Sequence, residues 1–387
     1  MARRIGFLVV LMLAAQTSVA TTITVRKDGT GDFTIIQQGL DAAASGDTVL
    51  IGPGEYTESS MVRLNGYTSD VEVFGRIAAA DVTVIGSGAE STIVGPTTFQ
   101  GNYGTHSPKC IAYDAGFGAF NISDLTLRNC YEGIWVGGLL RMERCHLENN
   151  IVGFLWLFVG SGGFVRDTRV DVNVPILSPM SFDIGYGAVF SGVTFEGCYF
   201  GDGGVVRGVQ GMSIRNCQLS GLGLYSGSRT YLNGCTSATS SNSGVSLSLG
   251  GGAYCEIRDC ELRAQYATLH VSQDAPGGRF VVENSHLEGG AHGVLYSGPG
   301  AGACSIHNCD LVKGSGPMVE CAVSASAVTH DLSNNFWGTT SAADIQSWII
   351  DHNDNAAIGA TVLYSPFSGQ SVPSETTTWG DLKALFR

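Results

Sequence analysis

The residues best placed to do chemistry are charged side chains that recur at regular intervals between positions 258 and 310. Glu261, His286 and Asp310 stand 25 and 24 residues apart, at the same place in three successive copies of a short repeated phrase. A histidine between two carboxylates could serve as a general acid or base, because the neighbouring negative charges stabilise the imidazolium ion. These three residues are therefore the candidate catalytic group.

Arg258 and Arg263 belong to the same copies of the phrase and are the candidate substrate-binding cations. The same charges would also form a ladder of ion pairs on an exposed sheet, where each pair contributes under about 1 kcal/mol. Glu143, His146 and Arg166 begin a second patch of the same character. Two similar patches favour the ladder interpretation over two active sites.

Two tryptophans form a second candidate group. Trp135 and Trp156 lie on the second strand-like segment of successive copies of the phrase. Exposed indole rings would give a platform on which sugar rings stack, so both are candidate substrate-binding residues. Packing in the core or beneath a loop is the alternative explanation for the same pattern.

The phrase that positions these residues reads apolar, polar, turn-former, small or apolar, polar, apolar. Clear copies are Ile214-Arg-Asn-Cys-Gln-Leu219, Ile257-Arg-Asp-Cys-Glu-Leu262 and Ile306-His-Asn-Cys-Asp-Leu311. The ten copies begin at residues 122, 142, 165, 190, 214, 232, 257, 282, 306 and 332. A strand-length unit repeated at this period predicts a β-solenoid whose coils stack in parallel.

The third and fourth places of the phrase predict the local structure of each coil. The third place fits a left-handed bend, because it holds residues that tolerate a positive φ. Its members are Asp124, Asp167, Asn216, Asp259, Asn284, Asn308 and Asn334. The fourth place holds Cys145, Cys217, Cys235, Cys260 and Cys309. We expect these thiols to point inward and to remain reduced, packing as small hydrophobic groups.

Helices are expected at both ends of the solenoid, where they would cover apolar core and open strand edges. Thr34 followed by Gln37 resembles a capping box before an N-terminal helix. Residues 341–350 look helical, and Trp337 is expected to anchor the C-terminal cap. A final strand is predicted over residues 361–364.

Three segments resemble the pectin lyase-like right-handed parallel β-helix superfamily. Gly31-Asp-Phe-Thr-Ile-Ile-Gln37 and Gly52-Pro-Gly-Glu-Tyr-Thr57 are similar to the N-terminal cap of pectinesterases in that superfamily. Asn334-Asn-Phe-Trp-Gly338 looks like its closing segment, and the internal copies resemble its coil repeat. The resemblance implies an all-β fold, a right-handed parallel β-helix with a short N-terminal capping helix and a C-terminal helical cap.

The catalytic signatures of that superfamily are largely missing from the sequence. Only Ala291-His-Gly293 is faintly similar to the Gly-His-Gly of polygalacturonases. The stretch Ser181-Phe-Asp-Ile-Gly-Tyr-Gly187 matches the pectinesterase motif poorly, and the aspartates that hold calcium in pectate lyases cannot be placed. No metal site or cofactor is therefore predicted, and calcium is implied by the resemblance alone.

The terminal segments predict the location of the protein, and its net charge limits the class of partner. Residues 1–20 read as a signal peptide, 21–367 as the β-helix domain, 368–378 as a Ser/Thr/Pro linker and 379–387 as a short tail. This division predicts a secreted or cell-surface protein without a transmembrane segment. A formal charge of −13 makes nucleic acid an unsuitable partner.

The function predicted from these observations is binding or processing of a polysaccharide or cell-surface glycan, with pectin or uronate polymers suggested by the resemblance alone. A non-catalytic surface, adhesion or scaffold protein is the alternative. Whether the protein is an enzyme is left open. If the protein is an enzyme, it is expected to be a lyase, a glycoside hydrolase or an esterase.

Overall fold

The fold is a right-handed parallel β-helix built from three long sheets. The computed structural model describes residues 19–100, 107–116, 118–156, 163–171, 180–184, 193–201, 205–207, 211–226, 229–238, 245–249, 253–272, 278–297, 302–325 and 327–371. Most of the predicted signal peptide, residues 372–378 of the predicted linker and the whole predicted tail lie outside these ranges.

Each regular coil runs through sheet A, then sheet B, then sheet C. Within the described ranges, sheet A contains Thr22–Val25, Thr48–Ile51, Thr83–Ile85, Ala119–Ser123, Leu139–Glu143, Phe164–Arg166, Val193–Glu196, Met212–Arg215, Arg229–Asn233, Tyr254–Arg258, Arg279–Glu283, Ser305–His307, Thr329–Asp331 and Thr361–Leu363. Sheet B contains Gly54–Tyr56, Thr92–Val94, Thr126–Arg128, His146–Glu148, Arg169–Asp171, Tyr199–Phe200, Gln218–Leu219, Thr236–Ala238, Glu261–Arg263, His286–Glu288 and Asp310–Val312.

Sheet C closes each coil. Its described strands are Ser60–Val62, Val71–Ile77, Lys109–Tyr113, Glu132–Val136, Val152–Trp156, Met180–Ile184, Val205–Arg207, Leu222–Ser226, Val245–Leu249, Ala267–Ser272, His292–Ser297, Val319–Cys321 and Ile349–Ile350. Neighbouring strands pair in parallel in all three sheets, except for Ser60–Val62, which pairs antiparallel with Val71–Ile77. The two helices of the described chain are Ile36–Ala42 and Ala342–Ser347.

The apolar side chains of the phrase form the core. Ile214 pairs with Leu232, which pairs with Ile257 on the next coil, and all three are buried. One predicted start is wrong. Val165 pairs with Phe195, so the fourth copy begins at 195 rather than 190 and reads Phe195-Glu-Gly-Cys-Tyr-Phe200. The five-residue shift arises because the coil that precedes it is longer than its neighbours.

The predicted left-handed bend is confirmed at all seven Asp and Asn residues of the third place, where φ lies between 46° and 62°. The corrected fourth copy has Gly197 at this place, with φ of 64°. The inward orientation of the cysteines is also confirmed, because all eleven are buried free thiols. Burial raises the pKa of the Cys145 thiol to about 12, so it stays protonated at neutral pH.

The predicted helices are present, with different boundaries. The N-terminal helix begins after Ile35 and has no side-chain cap, so the capping box is wrong. Gln37 instead accepts a hydrogen bond from the backbone N–H of Arg76 at 2.8 Å, which ties the helix to sheet C. At the other end, Ser341 caps the second helix by accepting from the Asp344 N–H at 3.2 Å. Trp337 is fully buried, as the predicted anchor requires.

His330 is a buried histidine whose protonation should limit stability in acid. Its ring stacks on Tyr296 with centroids 4.0 Å apart, and its Nδ1 lies 3.2 Å from the Cys304 Sγ. Burial lowers the pKa of His330 from 6.5 to about 4. The unfolded chain therefore binds a proton near pH 6.5 while the folded chain does not until about pH 4.

We therefore expect the free energy of unfolding to fall by up to about 3 kcal/mol through this group as the pH drops from 6.5 to 4. Urea denaturation across that range, on the native protein and on His330→Gln, measures the contribution. The variant should show the shallower dependence on pH. Equal slopes for the two proteins would contradict this role for His330.

Candidate functional site

The charged patch predicted from the sequence has the expected register. Glu261, His286 and Asp310 are direct partners on three adjacent strands of sheet B. Arg258 pairs with Glu283 in the same way on sheet A, across the left-handed bend. The structure therefore brings the predicted residues to one surface.

The two arginines of this patch are engaged by carboxylates. Arg258 Nη1 lies 2.5 Å from Glu283 Oε2. Arg263 Nη2 lies 2.6 Å from Glu261 Oε1, and its Nε lies 3.2 Å from Glu288 Oε2. Each guanidinium thus bridges acids on its own strand and on the next, as in a ladder of ion pairs.

His286 makes no hydrogen bond with Asp310 or with Glu288. Its Nδ1 lies 3.8 Å from Asp310 Oδ2, and its Nε2 lies 3.9 Å from Glu288 Oε2, both beyond hydrogen-bond distance. Asp310 Oδ2 instead accepts a hydrogen bond from the Ser371 hydroxyl at 2.6 Å. Proton transfer between His286 and Asp310 is therefore not supported by this geometry, and the ladder interpretation describes the patch better.

The second patch has the same construction. Arg166 Nη1 lies 3.7 Å from Glu143 Oε1, and its Nε lies 3.2 Å from Glu196 Oε2. His146 Nε2 lies 2.9 Å from Asp171 Oδ2. Both patches are thus parts of one pattern of alternating charge that follows the solenoid.

The predicted tryptophan platform is not exposed at Trp135. Its side chain is only 1% exposed and packs edge-on against Tyr67, with ring centroids 5.9 Å apart. Tyr67 lies between the antiparallel strands Ser60–Val62 and Val71–Ile77, so this hairpin covers the indole. Packing beneath a loop therefore describes Trp135. The side chain of Trp156 lies outside the described part of the chain.

A buried ion pair lies beside Trp135 under the same hairpin. Lys109 Nζ is 2.9 Å from Glu132 Oε2, and the two side chains are 0% and 4% exposed. The ammonium group also lies 4.9 Å from the centre of the Tyr67 ring, which adds a cation–π contact to the ion pair. No pattern in the sequence indicates this pair, because the covering hairpin does not follow the repeat.

A groove on sheet A is a site that the sequence analysis missed. It crosses four adjacent coils and has a volume of about 670 Å³. Its polar and aromatic lining includes Thr194, Ser213, Arg215, Tyr231, Asn233 and Glu256. Buried and exposed side chains alternate along the strand Arg229–Asn233, so Tyr231 and Asn233 face the solvent. The alternation of side-chain direction along a strand was the signal that could have identified them.

Tyr231 gives this groove an accessible aromatic ring. It is 37% exposed and meets Tyr254 edge-on, with centroids 6.3 Å apart. Tyr254 donates its hydroxyl hydrogen to Glu256 Oε2 at 2.8 Å. A hydrogen bond from Arg258 lowers the pKa of Glu256, so that carboxylate remains ionised. The groove can therefore offer a ring face, hydroxyls and fixed charges to a ligand.

A second group that the sequence analysis missed lies on sheet C. His292 Nδ1 is 2.8 Å from Glu320 Oε2, and the edge of its ring meets the exposed Tyr266 at 5.1 Å between centroids. His270 Nε2 is 2.8 Å from the Ser297 hydroxyl, and burial lowers the pKa of His270. His292 belongs to the Ala291-His-Gly293 stretch noted in the sequence, but only the stacking of coils brings it together with Glu320 and Tyr266.

No group of three His, Cys, Asp or Glu side chains among the described residues could hold a metal ion. No helix of the described chain is long and apolar enough to cross a membrane.

Comparison with known proteins gives distant structural likenesses. No protein-family model and no curated protein sequence matches this chain. The chain is similar to pectate lyase Pel9A at 12% identity, covering 94% of this chain and 83% of that chain, with a TM-score of 0.38. It is similar to the catalytic unit of a GH87 α-1,3-glucanase from Streptomyces thermodiastaticus at 13% identity, covering 95% and 72%, with a TM-score of 0.47.

A third similar structure is the A-module of the Azotobacter vinelandii mannuronan C-5 epimerase AlgE6, at 14% identity, covering 85% of this chain and 94% of that chain, with a TM-score of 0.27. Superposition at this level carries no inference about activity. The parallel register of three sheets establishes the fold from this chain's own strands. That fold is a parallel β-helix.

The ladder interpretation predicts a clear contrast in stability. Arg263→Gln should lower the free energy of unfolding by less than about 1 kcal/mol, because the side chain is half exposed and water replaces its partners. Lys109→Met should cost about 3–5 kcal/mol, because it leaves the Glu132 carboxylate buried without its cation. Chemical denaturation of both variants checks the contrast. A large loss in Arg263→Gln would count against the ladder.

Proposed function

We propose that this protein binds a carbohydrate polymer in the groove on sheet A. The observation that carries the proposal is the exposed ring of Tyr231 among polar side chains from four successive coils. The apolar face of a sugar ring packs on an aromatic ring, while its hydroxyls need hydrogen-bonding groups at the rim. Ser213 and Asn233, the strand partners of Tyr231 and Arg215, supply such groups.

The shape of the groove favours an extended ligand. Its lining residues come from coils stacked about 4.8 Å apart, so four coils give a length of about 14 Å along the solenoid axis. A polymer lying along that axis would repeat its contacts from coil to coil. A compact small molecule would use only one or two of them.

A second candidate function is processing of such a polymer on sheet C. The contact between His292 and Glu320 favours it, because a carboxylate that orients an imidazole is a common part of acid–base sites. The exposed Tyr266 beside this pair could position a sugar ring. The alternative of a scaffold without a ligand is favoured by the extended ladder of ion pairs.

The proposed function places the protein outside the cytoplasm, as the signal-like sequence of residues 1–20 predicts. Detection of the mature chain in the culture medium or at the cell surface, beginning near residue 21, tests this location. Retention of the full-length chain in the cytoplasm would contradict it.

Tyr231→Ala should weaken polymer binding by up to about tenfold, since an aromatic contact contributes about 0.5–1.5 kcal/mol. Affinity electrophoresis in gels containing pectate, mannuronan or α-1,3-glucan measures the effect. Tyr266→Ala is the comparison variant, because it removes another exposed tyrosine, which lies just before the sheet C strand Ala267–Ser272. Loss of binding in Tyr266→Ala alone would show that the polymer binds at sheet C rather than in the groove on sheet A. Unchanged binding in both variants would exclude both surfaces.

A further inference from the structure

Cys110 and Cys130 are a pair of buried thiols that differs from the cysteines of the phrase. Cys110 lies on the sheet C strand Lys109–Tyr113, and Cys130 lies just before the next strand of that sheet, Glu132–Val136. Their sulfur atoms are 2.9 Å apart, and both side chains are fully buried. This separation is about 0.9 Å longer than a disulfide bond, which is about 2.05 Å long. A small rotation of the two side chains is therefore enough to bring the sulfurs to bonding distance.

A left-handed turn fixes the position of Cys130. Asn129, immediately before it, has a φ of 60°, and its side-chain amide donates to the Pro96 carbonyl at 2.8 Å. The Cys130 backbone N–H donates to Asn150 Oδ1 at 2.9 Å, and the Asn150 side-chain amide donates to the Leu127 carbonyl at 2.9 Å. The turn is thus held by residues of the coils before and after it, which keeps the Cys130 sulfur in one place.

Cys110 approaches this turn from the neighbouring strand. In the phrase, the thiol contacts the carbonyl two residues before it, as Cys217 Sγ contacts the Arg215 carbonyl at 3.1 Å. The corresponding carbonyl of the Cys130 turn belongs to Arg128, and Cys110 Sγ contacts it instead at 3.2 Å. The two sulfurs therefore meet from a strand and a turn. The cysteines of the phrase stack in parallel, an arrangement that fits disulfide geometry badly.

We propose that Cys110 and Cys130 form a disulfide bond when the chain folds under oxidising conditions. Each thiol loses one proton and one electron, and the new bond joins the two sulfurs. A disulfide oxidant, such as oxidised glutathione, takes up the two electrons and two protons and becomes two thiols. The bonded residues are 20 positions apart and lie on adjacent coils, so the bond closes one turn of the solenoid into a ring.

The bond forms during folding rather than in the finished structure. Burial raises the pKa of the Cys130 thiol, and the neighbouring Cys110 thiol raises it further. The thiolate is the reactive form, and neither sulfur is accessible to an oxidant in the folded chain. The signal-like sequence of residues 1–20 predicts export, and exported chains fold where disulfides form and persist.

Counting free thiols tests the inference. The full chain is directed to the bacterial periplasm by an added secretion signal, purified, denatured and alkylated with iodoacetamide. Nine of the eleven cysteines should be labelled before reduction and all eleven after it. The same chain produced in the reducing cytoplasm should give eleven labels without reduction.

Tryptic peptides identify the bonded pair. Trypsin cleaves after Lys109, Arg128 and Arg141, so Cys110 and Cys130 fall on the separate peptides 110–128 and 129–141. The two peptides should be recovered as one linked species from the periplasmic protein. Reduction should separate them.

Two serine variants show whether the oxidation depends on this pair. Cys130→Ser removes one partner, so ten thiols should be labelled both before and after reduction. Cys217→Ser is the matched control, because serine already occupies the same place of the phrase at Ser285. It should give eight labels before reduction and ten after it, since it leaves Cys110 and Cys130 intact.

Two outcomes overturn the inference. Labelling of all eleven cysteines in the periplasmic protein before reduction would show that both thiols stay reduced. Linked tryptic peptides that contain another pair of cysteines instead would show that oxidation occurs elsewhere in the chain. Neither outcome bears on polymer binding in the groove on sheet A.

Discussion

The left-handed residue between sheet A and sheet B is the constraint on which the rest of the structure depends. It recurs in successive coils with φ near 50–60°, as at Asn216, Asp259 and Asn308. Because it turns the chain sharply at the same place in each coil, it fixes which residue stacks on which. This turn therefore sets the register of the buried side chains, of the ladder of ion pairs and of the groove.

The buried residue after the left-handed one explains the cysteines. Its side chain accepts a backbone N–H from the preceding coil, as Cys217 Sγ does from Cys198 at 3.4 Å and Ser285 Oγ does from Cys260 at 3.1 Å. The Asn335 side chain does the same for the Cys309 N–H at 2.9 Å. Thiol, hydroxyl and amide are thus interchangeable here, because each is a small acceptor for a donor that the turn leaves without a strand partner.

The same stacking places charge on the outer surface. Side chains on adjacent coils lie close enough to repel if they share a sign, so opposite charges alternate at the last outward position of the sheet A strands, as at Glu143, Arg166 and Glu196. A position that departs from this alternation exposes a charge to the solvent. Asn233 is such a position, and it lies within the groove that also exposes Tyr231.

The sequence predicted the coil well because turn, core and outward positions all repeat together. The predicted start of the fourth copy at residue 190 was wrong. The preceding coil is longer than its neighbours, and Phe190 resembles the first residue of the phrase five residues before the copy begins. The sequence placed Glu261, His286 and Asp310 on one surface correctly, yet could not show that Glu261 pairs with Arg263 and that Asp310 accepts a hydrogen bond from Ser371. Packing beneath a loop, one of the two interpretations of Trp135, describes its position, but the sequence could not identify the covering hairpin because it belongs to an irregular coil without a periodic signal.

Distance measurement between spin labels tests the shared register most directly. Labels placed through Glu143→Cys and Glu283→Cys sit at the last outward position of the sheet A strands, six coils apart, which corresponds to about 29 Å between their backbones. The account predicts a single narrow distribution near that value, after allowance for the linkers. A distance shifted by about 5 Å, the height of one coil, or a broad distribution would contradict the stacking on which the groove and the ladder depend.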